Sequence, residues 1–567
     1  MRKRLVLALV AFVPLLTLPP PARAQVPAGP PAPKVTITGL FDQVTSMGRN
    51  FYDGNYARDG DREWYARTRF RPDFEFAVGR TKAVLGIELD LMYGQGGSND
   101  GGFPGNNSGQ PCGFNGGCHF GTGGGLDINT DVAGLFEIKW IYTEFDLTGK
   151  DSLLPFIPVL TVARAGGQPF ATIANYKVYY ANGDFAGLDL YTTFTPEIKN
   201  HIAWVDVEDT LAGGDRQANA QIRTNRGKDF AIIESVEWTP TKGLDLKPMF
   251  SWFHADGVTT NAARRNATNR RTVGGSMNGA GAFAGIPLGT PPAAAACFGC
   301  TAPGDPSMHE ERYTVGFDAR WRVGGFGLDP TIAYQWGAYD TQATRTNGTV
   351  GKVRGDASAW LIDVIASYQL GPLLLEARGI YSTGNKARDN LSLSKRYYEP
   401  LDLDGSYNSG WGAILVGSGV DYFNGGGGPS QSMATNVGYD RFGRASLGLR
   451  ATYSLTPALA FYGIASPTWT AEAVDTDTTV VLAPQQTYTN RATVDDKSWV
   501  KGDSNYLGTE LDLGLTWRFA PNTAFDLQGG YLLTGAGLNT AEVLNGVHTR
   551  RDARDAYILA ARVRLAF

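Results

Sequence analysis

Eighteen segments of this chain alternate apolar and polar residues with a period of two, and the connections between them alternate as strictly, a short turn followed by a long loop. The segments fall near 34–46, 62–78, 81–94, 133–148, 157–166, 184–195, 198–209, 228–239 and 243–255 in the first half. In the second half they fall near 309–323, 326–339, 356–371, 373–384, 441–456, 458–471, 504–519, 522–534 and 554–567. Eight connections are short and rich in Gly, Pro and Asn, such as Gly79-Arg80, Thr239-Pro240-Thr241-Lys242-Gly243, Val323-Gly324-Gly325 and Ala520-Pro521-Asn522. These residue types supply the backbone angles of tight turns. One of the eight, slightly longer, runs through Thr148-Gly149-Lys150-Asp151. Nine connections are long, near 47–61, 95–132, 167–183, 210–227, 256–308, 340–355, 385–440, 472–503 and 535–553. Period-two segments joined in this way predict an all-β fold, an antiparallel up-and-down transmembrane β-barrel of eighteen strands, with sixteen as the alternative.

The chain ends support that reading. Met1 to Ala24 has a basic start (Arg2, Lys3, Arg4), an apolar run from Leu5 to Leu18, and Ala22-Arg23-Ala24 before Gln25. This is the layout of a secretory signal peptide. The expected division is therefore a signal peptide at 1–24, a Pro/Ala-rich linker at 25–33 and the barrel at 34–567. No later stretch approaches 18 uninterrupted apolar residues, so a membrane could be crossed only by a closed barrel, whose backbone groups are all paired. The last segment places Tyr557, Leu559, Ala561, Val563, Leu565 and Phe567 on one face, with Arg562 and Arg564 on the other. Removing 1–24 leaves 47 basic against 55 acidic side chains, a net charge of −8, which argues against a nucleic-acid binder.

The period of two also assigns faces. The tenth segment puts Tyr313, Val315, Phe317, Ala319 and Trp321 outward and Asp318, Arg320 and Arg322 inward. The sixteenth turns Glu510 and Asp512 inward, and the fourteenth Arg450. Charged groups in hydrocarbon would cost about 2–4 kcal/mol each near the midplane, which fixes them in a polar lumen. Arg67, Arg69 and Arg71 share one face of the second strand. If the barrel closes first strand to last, they form a row with Arg562 and Arg564. Glu88 and Asp90, with Glu510 and Asp512, supply opposed charge; the row then either orients a passing solute or is neutralised by these acids. Lys139, Arg164 and Arg378 complete the expected pore lining. Inward acids are about as numerous as inward bases, so the sequence sets no charge preference. The third long loop, Gly166-Gly167-Gln168-Pro169-Phe170 through Tyr176, Tyr179 and Tyr180, is the candidate constriction; a surface loop packed on its neighbours is the alternative.

Two cysteine pairs, Cys112/Cys118 and Cys297/Cys300, lie on long loops and in an exported protein read as local disulfides. Cross-loop pairing, a four-cysteine zinc site and a redox pair at Cys297–Cys300 are the alternatives. Carboxylates at Asp127, Asp131, Asp402 and Asp404 lack the full EF-hand spacing and read as solvated loop acids. The five histidines, His119, His201, His254, His309 and His548, form no metal or base motif in sequence, and no phosphate loop or haem-attachment motif occurs. No enzymatic activity, cofactor, metal or nucleic-acid partner is expected.

Several short stretches carry a resemblance: Lys34-Val35-Thr36-Ile37-Thr38-Gly39, Arg67-Thr68-Arg69-Phe70-Arg71, Glu137-Ile138-Lys139-Trp140-Ile141-Tyr142, Ala163-Arg164-Ala165-Gly166-Gly167-Gln168 and the terminal Phe567. Together with the signal peptide they resemble a Gram-negative general porin, most similarly the outer-membrane homotrimeric porins of sulfate-reducing and related bacteria. The resemblance implies passive diffusion of small hydrophilic solutes or ions and a homotrimer in outer-membrane lipid; the alternation of short turns and long loops is what a barrel with periplasmic chain ends produces. The resemblance also implies that Phe567 is part of the signal read by the barrel-assembly machinery. A substrate-specific channel for sugars, oligosaccharides or organic anions, and a scaffold barrel sheathing an electron-transfer or secretion partner, are the competing readings. Loops of 38, 53 and 56 residues at 95–132, 256–308 and 385–440 exceed the usual porin pattern.

Overall fold

The structure, a computed structural model, describes residues 32–50, 62–93, 130–132, 136–181, 184–208, 229–255, 297–298, 309–344, 350–387, 389, 394–401, 411–416, 433, 441–474, 476, 502–544 and 547–567. The expected signal peptide, Cys112, Cys118, Cys300, the Asp127 and Asp402–Asp404 carboxylates and His119 lie outside them, as do the side chains of Asp90, Asp131, Cys297 and His548.

Eighteen strands form the wall. They are β1 (Lys34–Arg49), β2 (Arg62–Val78), β3 (Thr81–Tyr93), β4 (Phe136–Asp146), β5 (Leu160–Pro169) and β6 (Asp184–Thr195). Next come β7 (Ile198–Glu208), β8 (Asp229–Thr241), β9 (Leu244–Ala255), β10 (Glu310–Val323), β11 (Phe326–Thr344) and β12 (Val350–Leu370). The last are β13 (Leu373–Ser382), β14 (Arg444–Thr456), β15 (Leu459–Val474), β16 (Ser504–Ala520), β17 (Thr523–Thr534) and β18 (Ala556–Ala566). Each pairs antiparallel with its sequence neighbours, and β18 pairs with β1 from Leu40↔Ala566 to Arg49↔Tyr557, so the sheet has no edge. All eighteen expected segments are strands.

Seven of the short connections are two-residue turns. Gly79, Gly243, Gly324 and Gly371 take positive φ in four of them, where a side chain would be strained. The β4–β5 link is longer than the sequence suggested: β5 begins at Leu160, and residues 147–159 fold as a small unit held by Leu154 N–H to Leu147 C=O (2.8 Å) and Gly149 N–H to Ile157 C=O (2.9 Å). The sixth long loop shrinks in the opposite sense, because β11 and β12 keep pairing out to Thr344↔Val350.

Outward positions carry exposed large apolar side chains around the ring, among them Phe41, Phe76, Trp204, Trp321, Leu449, Leu513, Trp517 and Val563. A continuous belt of this kind is poorly matched to water and well matched to hydrocarbon. No described helix is long and apolar enough to cross a membrane. At the seam, Phe567 exchanges backbone hydrogen bonds with Gly39 (2.8 and 3.0 Å) and stacks on Phe70 at 6.0 Å between ring centroids. A Cβ on Gly39 would sit 2.7 Å from the Phe567 ring, so glycine is what lets the terminal ring lie flat on the wall. The start of β1 and the end of β18 lie on the short-turn side, with Ala566 N–H bonded to Asn522 C=O in the β16–β17 turn (2.9 Å).

Candidate functional site: the lumen and its two in-folded loops

The sequence reading of a uniformly polar lumen needs correction. On β6 to β13, inward positions toward the long-loop side are apolar and buried: Phe185, Ala203, Val205, Ala231, Ile233, Phe253, Ala333, Ala359 and Leu361. What buries them is the chain itself, because two of its loops fold inward.

The third long loop enters the barrel, as anticipated. Phe170, Ile173, Ala174, Tyr179, Tyr180 and Ala181 are buried in the same cluster as the apolar inner wall. Polar contacts fix its path. Ser235 on β8 donates to Ile173 C=O (2.6 Å), Lys247 on β9 to Thr172 C=O (2.5 Å), and Tyr180 to Ser251 (2.7 Å). Lys177 continues along the wall to the next strands, donating from Nζ to the carbonyls of Asp329 and Asp363 (2.7 Å each), while its N–H bonds Asp318 (3.0 Å). Burial pulls the Lys177 ammonium below the ordinary lysine range, against the opposing pull of Asp363 and Asp318. The loop thus lines one arc of the inner wall, from β8 to β12.

The seventh long loop also turns inward, which the sequence did not suggest. Its residues 394–401 pack on β10 and β11: Glu399 and Gln335 exchange hydrogen bonds (2.7 and 2.9 Å), and Lys395 and Arg312 each pair with both Glu310 and Glu399. That network is two cations against two anions, all buried and mutually paired, the condition under which buried charge is tolerated. Leu401 N–H bonds Tyr180 C=O (2.7 Å) and Tyr398 donates to Tyr179 C=O (3.4 Å), so the two loops brace each other. Burial pushes the phenols of Tyr180 and Tyr398 up from their ordinary range.

A second part of the same loop, residues 411–416, docks on β16. The Glu510 carboxylate accepts three consecutive backbone N–H groups, from Ala413 (2.5 Å), Ile414 (2.6 Å) and Leu415 (2.8 Å). Ile414, Leu415 and Met433 pack with Leu507, Leu532, Leu538 and Ile558. Glu510 and Asp512 are inward, as expected, and the structure buries them beneath this segment.

The five arginines fall together as the closure required. Val44 on β1 lies opposite both Arg67 and Arg562, and Asp42 opposite both Arg69 and Arg564. Three carboxylates are threaded between them. Asp42 pairs with Arg67 (3.5 Å); Glu88 with Arg69 (2.7 Å) and Arg71 (2.9 Å); Asp526 with Arg562 (2.9 Å) and Arg564 (3.7 Å). The carboxylates are buried at 2–6 % side-chain exposure, whereas Arg71, Arg562 and Arg564 stand at 27, 16 and 39 %. Among the described residues the open atoms of the row belong to Arg71, Arg562 and Arg564, whereas Arg67 and Arg69 are buried with the carboxylates. Asp42 and Asp526, which complete this wall, were missed in the sequence; each is an inward acid directly opposite an arginine in the register.

The other expected residues are inward as well. Lys139 pairs with Asp184 (3.1 Å), Arg164 with Glu144 (2.8 Å), and Arg378 with Asp363 (2.7 Å) beneath the Trp411 ring. Arg450 lies over Tyr462, 3.8 Å from Glu376, and Arg320 over Tyr176 of the third loop. Asp318 anchors Lys177 and Thr331. Arg322 pairs with Asp329 at the turn end, half exposed. His201 bonds Asp189 (3.1 Å) and lies 3.9 Å from Glu237; its described partners are carboxylates rather than a hydroxyl nucleophile.

No protein-family model and no curated protein matches this chain. Among solved structures it is similar to Pseudomonas aeruginosa OccK8 (OprE), at 11 % identity over 94 % of this chain and 98 % of that one, with a TM-score of 0.43. It is also similar to Pseudomonas aeruginosa OccK10 (OpdN), at 12 % identity over 94 and 99 %, TM-score 0.41. A third is Pseudomonas aeruginosa OpdK solved with vanillate, at 9 % identity over 94 and 99 %, TM-score 0.40.

Proposed function

We propose that the chain is an outer-membrane channel that passes small hydrophilic solutes, preferentially anions, along the arginine row. The carrying observation is the distribution of exposure in that row: the paired carboxylates are buried with Arg67 and Arg69, and the guanidinium groups of Arg71, Arg562 and Arg564 stay partly open. Among the described residues the in-folded loops pack against β6 to β17 and the first residues of β18, so the rest of β18 with β1 to β5 is the part of the wall left for a pathway. A solute moving there meets fixed positive charge well within a Debye length of about 8 Å at physiological salt. Covalent chemistry is not required; the barrel, the loops and the row suffice.

A channel narrowed by two braced loops favours a restricted solute class over general diffusion, and organic anions match the charge. It disfavours the scaffold reading, because the chain's own loops occupy space a sheathed partner would need. Reconstitution of purified protein in planar bilayers tests the proposal. Discrete ion-conducting steps are expected, with saturable block by small organic carboxylates. Absence of any ion current would refute a channel, and block by neutral sugars alone would refute the anion preference.

A further inference from the structure

One cluster of metal-binding side chains lies outside the lumen. His254, the penultimate residue of β9, stands directly opposite Glu311 of β10 in the antiparallel register, and His309 lies two residues before Glu311. Period-two geometry therefore puts all three on one face, the outer one, since the neighbouring Phe253 and Arg312 are buried inward. The Glu311 Oε1 atom lies 2.8 Å from His254 Nδ1 and 3.3 Å from His309 Nε2, and all three ligand atoms lie within 4.8 Å of one another.

From this we propose that His254, His309 and Glu311 form a binding site for a divalent first-row transition ion, such as Zn2+, Co2+ or Ni2+, on the rim of the barrel. Bonds of about 2.0–2.2 Å to such an ion place neighbouring ligand atoms about 2.9–3.4 Å apart; the 3.3 Å separation falls inside that range and the 2.8 Å one just below it. His309, at 40 % side-chain exposure the most open of the three, can close the remaining gap by rotating its ring.

The surroundings preset the ligands. Trp252 donates its indole N–H to the other carboxylate oxygen of Glu311 (2.5 Å), which orients Oε1 toward the histidines. Phe230 and Trp252 pack on the His254 ring at 5.1 and 6.1 Å between centroids, and the two imidazoles meet edge to face at 5.2 Å. Two imidazoles and one carboxylate suit zinc, cobalt, nickel or copper rather than magnesium or calcium, which take oxygen donors. Three ligands leave at least one coordination position to water or to an anionic group outside. The site joins the strand residues flanking the fifth long loop and is independent of conduction through the lumen.

The test is Co2+ titration of the detergent-solubilised full-length protein, without a histidine tag and with its thiols alkylated, read by visible d–d absorption. One saturable equivalent is expected, weakened at least tenfold by His254→Ala, by His309→Ala and by Glu311→Gln. Trp252→Phe should weaken it about tenfold through the freed carboxylate. Because His309 precedes β10, His309→Ala leaves the strand ladder intact, so that variant tests the site even if a strand variant misfolds. Failure to bind Co2+ at millimolar concentration, or binding unchanged in His309→Ala, would overturn the assignment.

Discussion

Glu510→Gln is the sharpest perturbation of the occluded lumen. In the native chain three backbone N–H groups converge on one buried carboxylate at 2.5–2.8 Å. Glutamine is isosteric, but it keeps one oxygen. The N–H groups of Ala413 and Ile414 retain an acceptor that has lost its charge, and the Leu415 N–H meets an NH2. A buried donor left unsatisfied costs about 1–3 kcal/mol, and a charge-assisted bond exceeds a neutral one by about 1 kcal/mol. With two bonds weakened and one lost, the docked state should lose about 3–5 kcal/mol, less about 1 kcal/mol because a neutral group is easier to bury. A net loss of about 2–4 kcal/mol corresponds to roughly 30- to 900-fold in the docking equilibrium. Amide hydrogen exchange over residues 411–416 should accelerate by that factor, while exchange in the β1–β2 strands stays unchanged. Single-channel conductance should rise together with current noise. If protection of 411–416 and the conductance both match the parent, the carboxylate cradle does not hold the loop.

Other expectations follow from the same geometry. Deleting 171–182 removes Lys177, Tyr179 and Tyr180, and should raise conductance and the solute size cutoff; unchanged values would exclude the third loop as the constriction. Tyr180 and Tyr398 hold raised phenol pKa values, so their packing is fully present below the ordinary value of 10.0 and is lost as pH climbs through their folded values. Conductance should therefore increase at strongly alkaline pH, and Tyr180→Phe should blunt the change; a flat profile to pH 12 would contradict it. Gly39→Val drives a side chain into the Phe567 ring and the Arg71 carbonyl, and should cut the yield of heat-modifiable barrel severalfold, read by gel mobility.

The wall was legible because period two, turn chemistry and face assignment all act locally: β2, β6 and β13 needed only their own residues and their turns. The arginine row required one non-local step, the closure of β18 on β1, and the terminal strand supplied it. The filling of the lumen was harder to read. Third-loop insertion had a local hint in the loop's departure just after the inward Arg164, with a surface loop as the alternative, but the seventh loop is anchored by Glu510, about a hundred residues away from its partners, and no local pattern marks that pairing. A signal did exist in the strands. Ile202-Ala203-Trp204-Val205 and Ala231-Ile232-Ile233 are apolar on both faces, which a half-wetted wall does not require and a wall packed on an inner loop does. The His254–Glu311 pair was hidden for a related reason, since its members lie 57 residues apart and meet only through the β9–β10 register.

The central claim is that the exposed guanidinium groups of the row set what passes. Zero-current potential across a bilayer under a tenfold KCl gradient measures it directly. The parent channel should show chloride preference, and Arg71→Ser with Arg564→Ser, which remove the two most open cations while leaving Asp526 and Glu88 paired to Arg562 and Arg69, should move the potential toward cation preference. A parent channel that prefers potassium, or a potential unmoved by the double substitution, would contradict the account.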